Sequence, residues 1–297
     1  MRNRVLIFAN PIAGKGRARK LAERIRARLS LERFDVELCF DKPDTMPDSV
    51  CTDPAGNLAA IVIGGDGTLR AVATRLLRPD MPPLLVVPMG TANLMGKHLG
   101  IKWRDATFGD DVLHVLRRHR IVHLDGATLN GGLFLLMAGV GLDAHVVHEL
   151  DRIRKGPIGY LSYAIPAAAA LQAYDFPPLS VEVDGRHVAR DVPGLAFVGN
   201  IAEYGTGFPI LPHASADDGV LDVCVLPCST RAETFKLLLL AAAGEHLHAE
   251  EVIYLKGKQV RITSSQPVPV QVDGEAAGHT PVEIGLLPMK VPFIVPE

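Results

Sequence analysis

Three glycine-containing turns, each directly after an apolar run, carry the residue types that hold phosphate groups. Their sequences are NPIAGKG at residues 10–16, GGDGT at 64–68 and PMGTAN at 88–93. Glycine lets the backbone adopt positive φ and approach a ligand closely, and the N–H groups that open a following helix attract an anion. The turns therefore predict a site for a phosphate-bearing ligand.

Two familiar nucleotide motifs do not describe these turns. The segment from Gly14 to Arg17 lacks the spacing of a P-loop, and Arg70 stands where a Rossmann fingerprint needs its third glycine. One such turn alone is as typical of a plain strand-to-helix connection as of a ligand site. Three together, one with an acid between glycines, favour the ligand site.

The second half of the chain contains acids beside glycine, in Asp217-Asp218-Gly219 and in Asp273-Gly274-Glu275. Carboxylates of this kind bind metal ions or accept a proton. Asp-Gly is also a strong turn signal, and the residues alone favour the turn.

The elements that must position these residues differ between the two halves. In the first, apolar runs at 5–9, 58–63 and 84–87 precede the three turns, 36–40 is a further strand, and helical spacing follows in 18–29 and after residue 68. Alternating strands and helices predict a parallel sheet, whose carboxyl edge binds ligands.

The second half is β-rich and predicts a mostly antiparallel domain. Residues 180–183 precede Asp184-Gly185, a two-residue hairpin signal. Further strands are predicted at 195–198, 220–226, 252–255, 259–263, 268–272 and 282–286, and helices at 144–154, 161–173 and 231–243. We place the domains at 1–123 and 124–297, and the last strand is one that could return to the first domain.

Composition and net charge exclude several classes of protein. The 297 residues are 48% apolar and 22% charged, which excludes a disordered chain, and the net charge of −2 argues against nucleic acid. Residues 1–123 hold 20 Lys and Arg against 13 Asp and Glu, a net +7, so residues 124–297 carry −9. The short apolar runs and four cysteines without a CxxC pair favour a soluble cytoplasmic protein with reduced thiols.

The turns also carry a family resemblance. GGDGT at 64–68, with Asn10-Pro11 before it and GTAN at 90–93 after it, resembles the catalytic domain of diacylglycerol kinase-like lipid kinases. The match continues through LNG at 129–131, GVGLD at 139–143, DDG at 217–219 and VDGE at 272–275. The resemblance implies an α/β N-terminal domain with the parallel sheet of NAD and diacylglycerol kinases. It also implies a mostly antiparallel β-sandwich C-terminal domain.

The resemblance further implies roles for individual residues. The ATP site would comprise Asn10, Lys15, Gly64, Gly65, Gly67, Thr68, Gly90, Thr91 and Asn93. Asp273 would be the base for the acceptor hydroxyl, although sphingosine kinase-like relatives favour the position of Asp66. Glu275 would lie on the nucleotide and Mg²⁺ side, and Asp125 would support the carboxylates. A structural Mg²⁺ would bind Asp218 and the carbonyls of Ser215 and Val220.

Three features depart from the family pattern. Leu94 stands after Asn93, where many bacterial diacylglycerol kinases have an acid. Three prolines interrupt residues 42–57, where relatives place a helix on the adenine side, and the threonine often found near Phe40-Asp41 is absent.

These observations predict an ATP- and Mg²⁺-dependent kinase of a membrane lipid, diacylglycerol by default. Ceramide or a sphingoid base is the nearest alternative acceptor; an inactive nucleotide-binding module and a NAD kinase are further alternatives. We expect peripheral contact with the inner membrane surface, through the basic helix at 17–28 or the basic and aromatic segment at 152–174. We expect no nucleic-acid partner and no zinc site, and a homodimer stays open.

Overall fold

The computed structural model describes residues 3–43, 56–104, 107–153, 169–172, 174–205 and 207–297. The chain divides into two compact units. The first unit comprises Met1–Leu124 and Met289–Glu297, and the second unit comprises Asp125–Pro288.

Fifteen strands and six α-helices lie in the described residues and are numbered here in chain order. The strands are β1 (Arg4–Ala9), β2 (Asp35–Cys39), β3 (Asn57–Gly64), β4 (Leu84–Pro88), β5 (His119–Leu129), β6 (Gly132–Phe134), β7 (Met137–Val140), β8 (Pro178–Val183), β9 (Arg186–Gly199), β10 (Leu221–Pro227), β11 (Ile253–Gly257), β12 (Gln259–Thr263), β13 (Pro269–Val272), β14 (Glu275–His279) and β15 (Val282–Pro296). The helices are α1 (Arg17–Leu31), α2 (Asp66–Leu76), α3 (Leu94–His98), α4 (Phe108–Arg117), α5 (Leu142–Ile153) and α6 (Arg231–Ala243).

The sheet of the first unit is parallel, which confirms the predicted α/β half. Its order is β2-β1-β3-β4, and the end of β15 joins it through Phe293 opposite Leu84. Ile7 lies opposite Ile61, which lies opposite Leu85, so one buried apolar row crosses the sheet. Strands covered on both faces are apolar along their whole length.

Two helices show how the sheet of the first unit is covered. The buried residues of α1 are Ala18, Ala22, Ile25 and Leu29, a spacing that places them on one face. The amphipathic helix α4 was not among the predicted elements, yet Phe108, Val112, Leu113, Val115 and Leu116 are buried and join the same core.

The second unit is antiparallel, which confirms the predicted β-rich half. One run of neighbours is β14-β13-β7-β9-β8-β12-β15, β10 lies between β9 and β11, and β5 pairs with β6. The predicted Asp184-Gly185 hairpin joins β8 to β9, with φ of 47° and 78° at the two turn residues. Two positive φ values in a two-residue loop match the right-handed twist of the strands.

The helices of the second unit agree with the sequence where they are described. α6 begins after Thr230, whose side chain accepts the N–H of Glu233 at 3.2 Å, and it ends at the left-handed Gly244. Most of the predicted helix at 161–173 lies outside the described residues. None of the helices in the described ranges is long and apolar enough to cross a lipid bilayer.

Candidate functional site

The three predicted turns lie at one edge of the first unit, because β1, β3 and β4 are parallel neighbours. Backbone hydrogen bonds join the turns: the N–H of Asn10 donates to the carbonyl of Ile63 at 3.0 Å, and that of Met89 donates to Gly64 at 2.8 Å. The carboxyl ends of parallel strands therefore present a continuous loop surface here.

Glycine is required where the β3 and β4 turns meet. A Cβ placed on Gly90 would lie 2.6 Å from the Cα of Gly65, and one placed on Gly64 would lie 2.6 Å from the Cβ of Thr68. No Cβ fits at these separations, so Gly90 lets its backbone touch that of Gly65, and Gly64 makes room for the side chain of Thr68. Packing therefore accounts for part of the glycine pattern that the sequence assigned to a ligand.

The β4 turn is closed by Asn93. Its backbone is left-handed at φ 50°, its Oδ1 accepts the N–H of Gly90 at 2.7 Å, and its Nδ2 donates to the carbonyl of Gly90 at 2.8 Å. Thr91 lies between them and is exposed. Asn93 thus holds the turn closed.

Asp66 joins α2 to α3. Its two carboxylate oxygens accept the N–H groups of Leu94 at 3.0 Å and Met95 at 3.1 Å, while burial raises its pKa. Both carboxylate oxygens therefore hold the start of α3 in place, a role that the sequence analysis did not predict. The side chain of Leu94 is only 8% exposed, so an acid at this position would replace a buried apolar group.

The β1 turn contains a run of left-handed backbone. Gly14, Lys15 and Gly16 have φ of 58°, 58° and 84°, and Lys15 is exposed. A lysine in this region is strained, and such strain concentrates at functional sites. The Nδ2 of Asn10 lies 3.4 Å from the hydroxyl of Thr68, which ties this turn to the first turn of α2.

In the second unit, Asp273 occupies a two-residue turn between β13 and β14. Asp273 and Gly274 have φ of 51° and 82°. Its Oδ2 accepts the N–H of Leu135 at 3.0 Å, and its Oδ1 accepts those of Leu136 and Met137 at 3.0 and 3.1 Å. The structure therefore contains the turn, together with a carboxylate held rigidly by three donors. Its predicted role as base stays a prediction.

A buried amide connects this turn to Asp143. The Nε2 of Gln271 donates to Asp143 at 3.2 Å, and its Oε1 accepts the N–H of Gly274 at 2.9 Å. Burial raises the pKa of Asp143 to about 6. The sequence analysis missed Gln271; its signal is a polar residue between Val270 and Val272 in an otherwise apolar strand.

Asp125 and Glu275, two further acids of the predicted site, lie in different surroundings within the second unit. Asp125 is buried; its Oδ2 accepts the N–H of Gly219 at 2.7 Å, and its own N–H donates to the carbonyl of Ala216. Glu275 opens β14 opposite Val272 and is half-buried. Asp125 therefore holds the 216–219 loop in place.

Of the predicted metal donors, the Asp218 carboxylate has other partners within the second unit. The Oδ2 of Asp218 pairs with the ammonium of Lys256 at 2.7 Å, and its Oδ1 lies 3.3 Å from the N–H of Val220. The Ser215 hydroxyl donates to Asp217 at 2.8 Å. Over the described ranges, no three His, Cys, Asp or Glu side chains form a group that could hold a metal.

Two regions of the sequence analysis cannot be placed. Residues 44–55, in the proline-containing segment, and residues 154–168, in the basic and aromatic segment, lie outside the described residues.

The chain matches known proteins along nearly its whole length. Residues 4–129 match the diacylglycerol kinase catalytic domain, and residues 137–295 match the YegS C-terminal NAD kinase beta sandwich-like domain. A diacylglycerol kinase of Staphylococcus carnosus (strain TM300) is 28% identical over 301 residues, which cover 100% of this chain and 96% of that protein.

Solved structures agree. The crystal structure of a diacylglycerol kinase from Bacillus anthracis str. Sterne has a TM-score of 0.72 at 26% identity, covering 96% of this chain and 94% of that one. An NAD kinase from Archaeoglobus fulgidus in complex with ATP has a TM-score of 0.54 at 13% identity, covering 98% and 92%, a likeness of fold alone.

Proposed function

Since this chain belongs to the diacylglycerol kinase family and is a kinase, we propose that it transfers the γ-phosphate of ATP to a hydroxyl of diacylglycerol. The observation that carries the proposal is the joined edge of three turns after β1, β3 and β4. The acceptor is taken from relatives that match the full length of the chain and bear that name.

The first unit supplies the groups that a triphosphate needs. The Gly65-to-Gly67 backbone opens the 11-residue α2, where N–H groups and the helix dipole favour negative charge. Lys15 adds a mobile cation on the strained turn, and the exposed Thr91 adds a hydroxyl donor. Phosphoryl transfer depends mainly on this kind of positioning and charge neutralisation.

Mg²⁺ would accompany ATP, and it would neutralise charge on the phosphates when bound. By the family resemblance, Glu275 would supply a carboxylate oxygen, the ligand type that such an ion prefers. Both oxygens of Asp66 accept backbone N–H groups at the start of α3, directly after the β4 turn. We assign Asp66 to positioning the β4 turn.

In the proposed reaction the acceptor hydroxyl oxygen attacks the γ-phosphorus. A new oxygen–phosphorus bond forms, the bond from the γ-phosphorus to the β–γ bridging oxygen breaks, and ADP leaves. The hydroxyl proton passes to the carboxylate of Asp273. Its three backbone donors fix the orientation of that carboxylate, which is the main requirement for a kinase carboxylate of this kind.

A lipid phosphorylation assay tests the proposal. The purified chain is incubated with ATP labelled at the γ-phosphate and with mixed micelles containing diacylglycerol, ceramide or sphingosine in separate reactions. We expect label in phosphatidic acid. Label only in a phosphorylated ceramide or sphingoid base would change the acceptor, and bound ATP without any labelled lipid would favour the inactive nucleotide-binding module.

Lys15 provides a sharper test of the nucleotide site. Lys15→Met should raise the KM for ATP about tenfold, the effect of losing a charge-assisted hydrogen bond. Lys20→Met, which removes an exposed lysine from α1, is the matched control and should leave KM unchanged. Equal values for both variants would remove Lys15 from the site.

We further propose that α1 brings the protein to an anionic membrane surface. Lys20, Arg24 and Arg26 are exposed while the opposite face of the helix is buried in the core. Such cations add about 1 kcal/mol each near anionic lipid. Vesicles with phosphatidylserine should sediment the wild-type chain and retain less of an Arg24→Glu, Arg26→Glu double variant; equal binding would contradict this role.

A further inference from the structure

The loop that carries Asp218 surrounds a lysine ammonium with oxygen atoms. The Nζ of Lys256 lies 2.7 Å from the Oδ2 of Asp218, 3.1 Å from the carbonyl oxygen of His213 and 3.5 Å from the Oδ2 of Asp222. An ammonium has three donors and no acceptor; two of these oxygens accept its hydrogen bonds, and Asp222 adds an ion-pair contact.

The need for a cation here comes from Asp222. This aspartate is fully buried, and its Oδ2 has no hydrogen-bond partner among the described residues. Its Oδ1 accepts the hydroxyl of Tyr254 at 2.6 Å. A buried carboxylate needs an opposite charge, and Lys256 supplies it from the directly opposed position on β11.

Hydrogen bonds from neighbouring residues fix the loop that carries Asp218 against the strand that carries Lys256. Tyr254 lies two residues before Lys256, therefore on the same face of β11, and its hydroxyl oxygen accepts the N–H of His213 at 3.2 Å. Asp125 holds the other end of the loop through Gly219. The loop is thus anchored to one strand through both the N–H and the carbonyl of His213.

A divalent ion does not fit this arrangement. The Asp218 carboxylate, which is the charged ligand that the resemblance implies for Mg²⁺, already has partners: its Oδ2 pairs with Lys256 at 2.7 Å and its Oδ1 lies 3.3 Å from the N–H of Val220. An ion on Asp218 would also stand beside the Lys256 charge and be repelled by it.

We propose that the ammonium of Lys256 is the permanent cation of this loop, taking the place of the structural Mg²⁺ implied by the family resemblance. The second unit of this chain then folds without a metal ion of its own. The proposal concerns the stability of the second unit and does not rest on the proposed reaction, so the two can fail separately.

Thermal unfolding of the full-length chain without nucleotide tests the proposal. Tm is measured in chelator and across a MgCl₂ series, with NaCl added to keep ionic strength constant. The wild-type Tm should change by no more than about 1 °C. A saturable rise with Mg²⁺ that disappears in Asp218→Asn would overturn the proposal, as would stoichiometric Mg²⁺ in dialysed, nucleotide-free protein.

The variant Lys256→Met should expose the cation site. In chelator its Tm should fall by about 5 °C, because Asp222 loses its counter-charge, and MgCl₂ should restore part of the loss saturably. Lys258→Met, at an exposed lysine two residues later, should behave as the wild type. A folded Lys256→Met chain whose Tm ignores Mg²⁺ would contradict the proposal, and the wild-type series decides the matter if that variant does not fold.

Discussion

Replacing Asp273 by asparagine tests catalysis and architecture at once. The carboxylate accepts three backbone N–H groups, two on Oδ1 and one on Oδ2. An amide has one carbonyl oxygen with two acceptor positions, and its NH₂ group only donates. In Asp273→Asn, therefore, two donors keep an acceptor, and the N–H of Leu135 faces another donor.

The expected loss of stability follows from the Leu135 N–H that is left facing another donor. Losing one charge-assisted hydrogen bond and leaving a partly buried N–H unpaired should cost about 2–4 kcal/mol in the free energy of unfolding. For a unit of this size, that is a fall in Tm of about 5–15 °C. If Asp273 is also the base, kcat should fall by about 10²–10⁴-fold at a temperature where the variant is fully folded.

Asp184 offers the matched control. It lies in another Asp-Gly turn with two positive φ values, and its carboxylate accepts backbone N–H groups of Lys258 and Gln259. Its Oδ1 alone is within 3.0 Å of both donors, so an amide keeps both. Asp184→Asn should therefore lose only about 1 kcal/mol of stability and retain full kcat.

The assays are urea unfolding followed by circular dichroism and the labelled-lipid assay at 20 °C or below. An Asp273→Asn chain with the same free energy of unfolding in urea as the wild type would refute the argument from three donors. A kcat equal to that of Asp184→Asn would remove Asp273 as the base and leave Asp66 as the alternative.

Three further changes have defined outcomes. Gly90→Ala should lose about 1–3 kcal/mol of stability and weaken ATP binding in calorimetry, because its Cβ would lie 2.6 Å from the Cα of Gly65; wild-type values would refute the close contact. The contribution of Asp143 to stability should fall as pH rises from about 4 to 6, since burial raises its folded pKa to about 6 and folding then binds a proton that the unfolded chain releases. Asp143→Asn should remove about 2–3 kcal/mol of that fall in urea titrations at pH 4.5 and 7.5, and an unchanged slope would refute the assignment. Thr230→Ala should cost about 1 kcal/mol by removing the acceptor for the Glu233 N–H while kcat stays constant; a change in kcat would give α6 a role that its place in the fold does not explain.

Much of the fold follows from periodicity. The apolar runs before the turns, the alternating pattern before Asp184 and the capped helix after Thr230 each depend on neighbouring residues, and each is confirmed. α4 was not predicted, although its apolar residues have the spacing of an amphipathic helix in the sequence.

The unpredicted parts of the site depend on residues distant in sequence. GGDGT indicates an acid at a ligand edge, but the use of Asp66 depends on where residues 94 and 95 lie. Similarly, DDG at 217–219 indicates a turn or a metal ligand, and only the register of β10 with β11 places Lys256 opposite Asp222. Such pairings have no local signature in a single sequence.

The first unit is built from two separate stretches of the chain, whereas the second unit is a single stretch between them. Met289–Glu297 belongs to the first unit, where Phe293 lies opposite Leu84 and Ile294 is part of the core. During synthesis, the first unit therefore cannot complete its sheet until the whole second unit has been made. N-terminal domains, by contrast, usually fold first. A ribosome-bound chain stopped at residue 288 should leave residues 1–124 open to protease, and protection at that length would show that the first unit folds without residues 289–297. Because of strand β15, the first unit completes its fold only after the second unit has been synthesised.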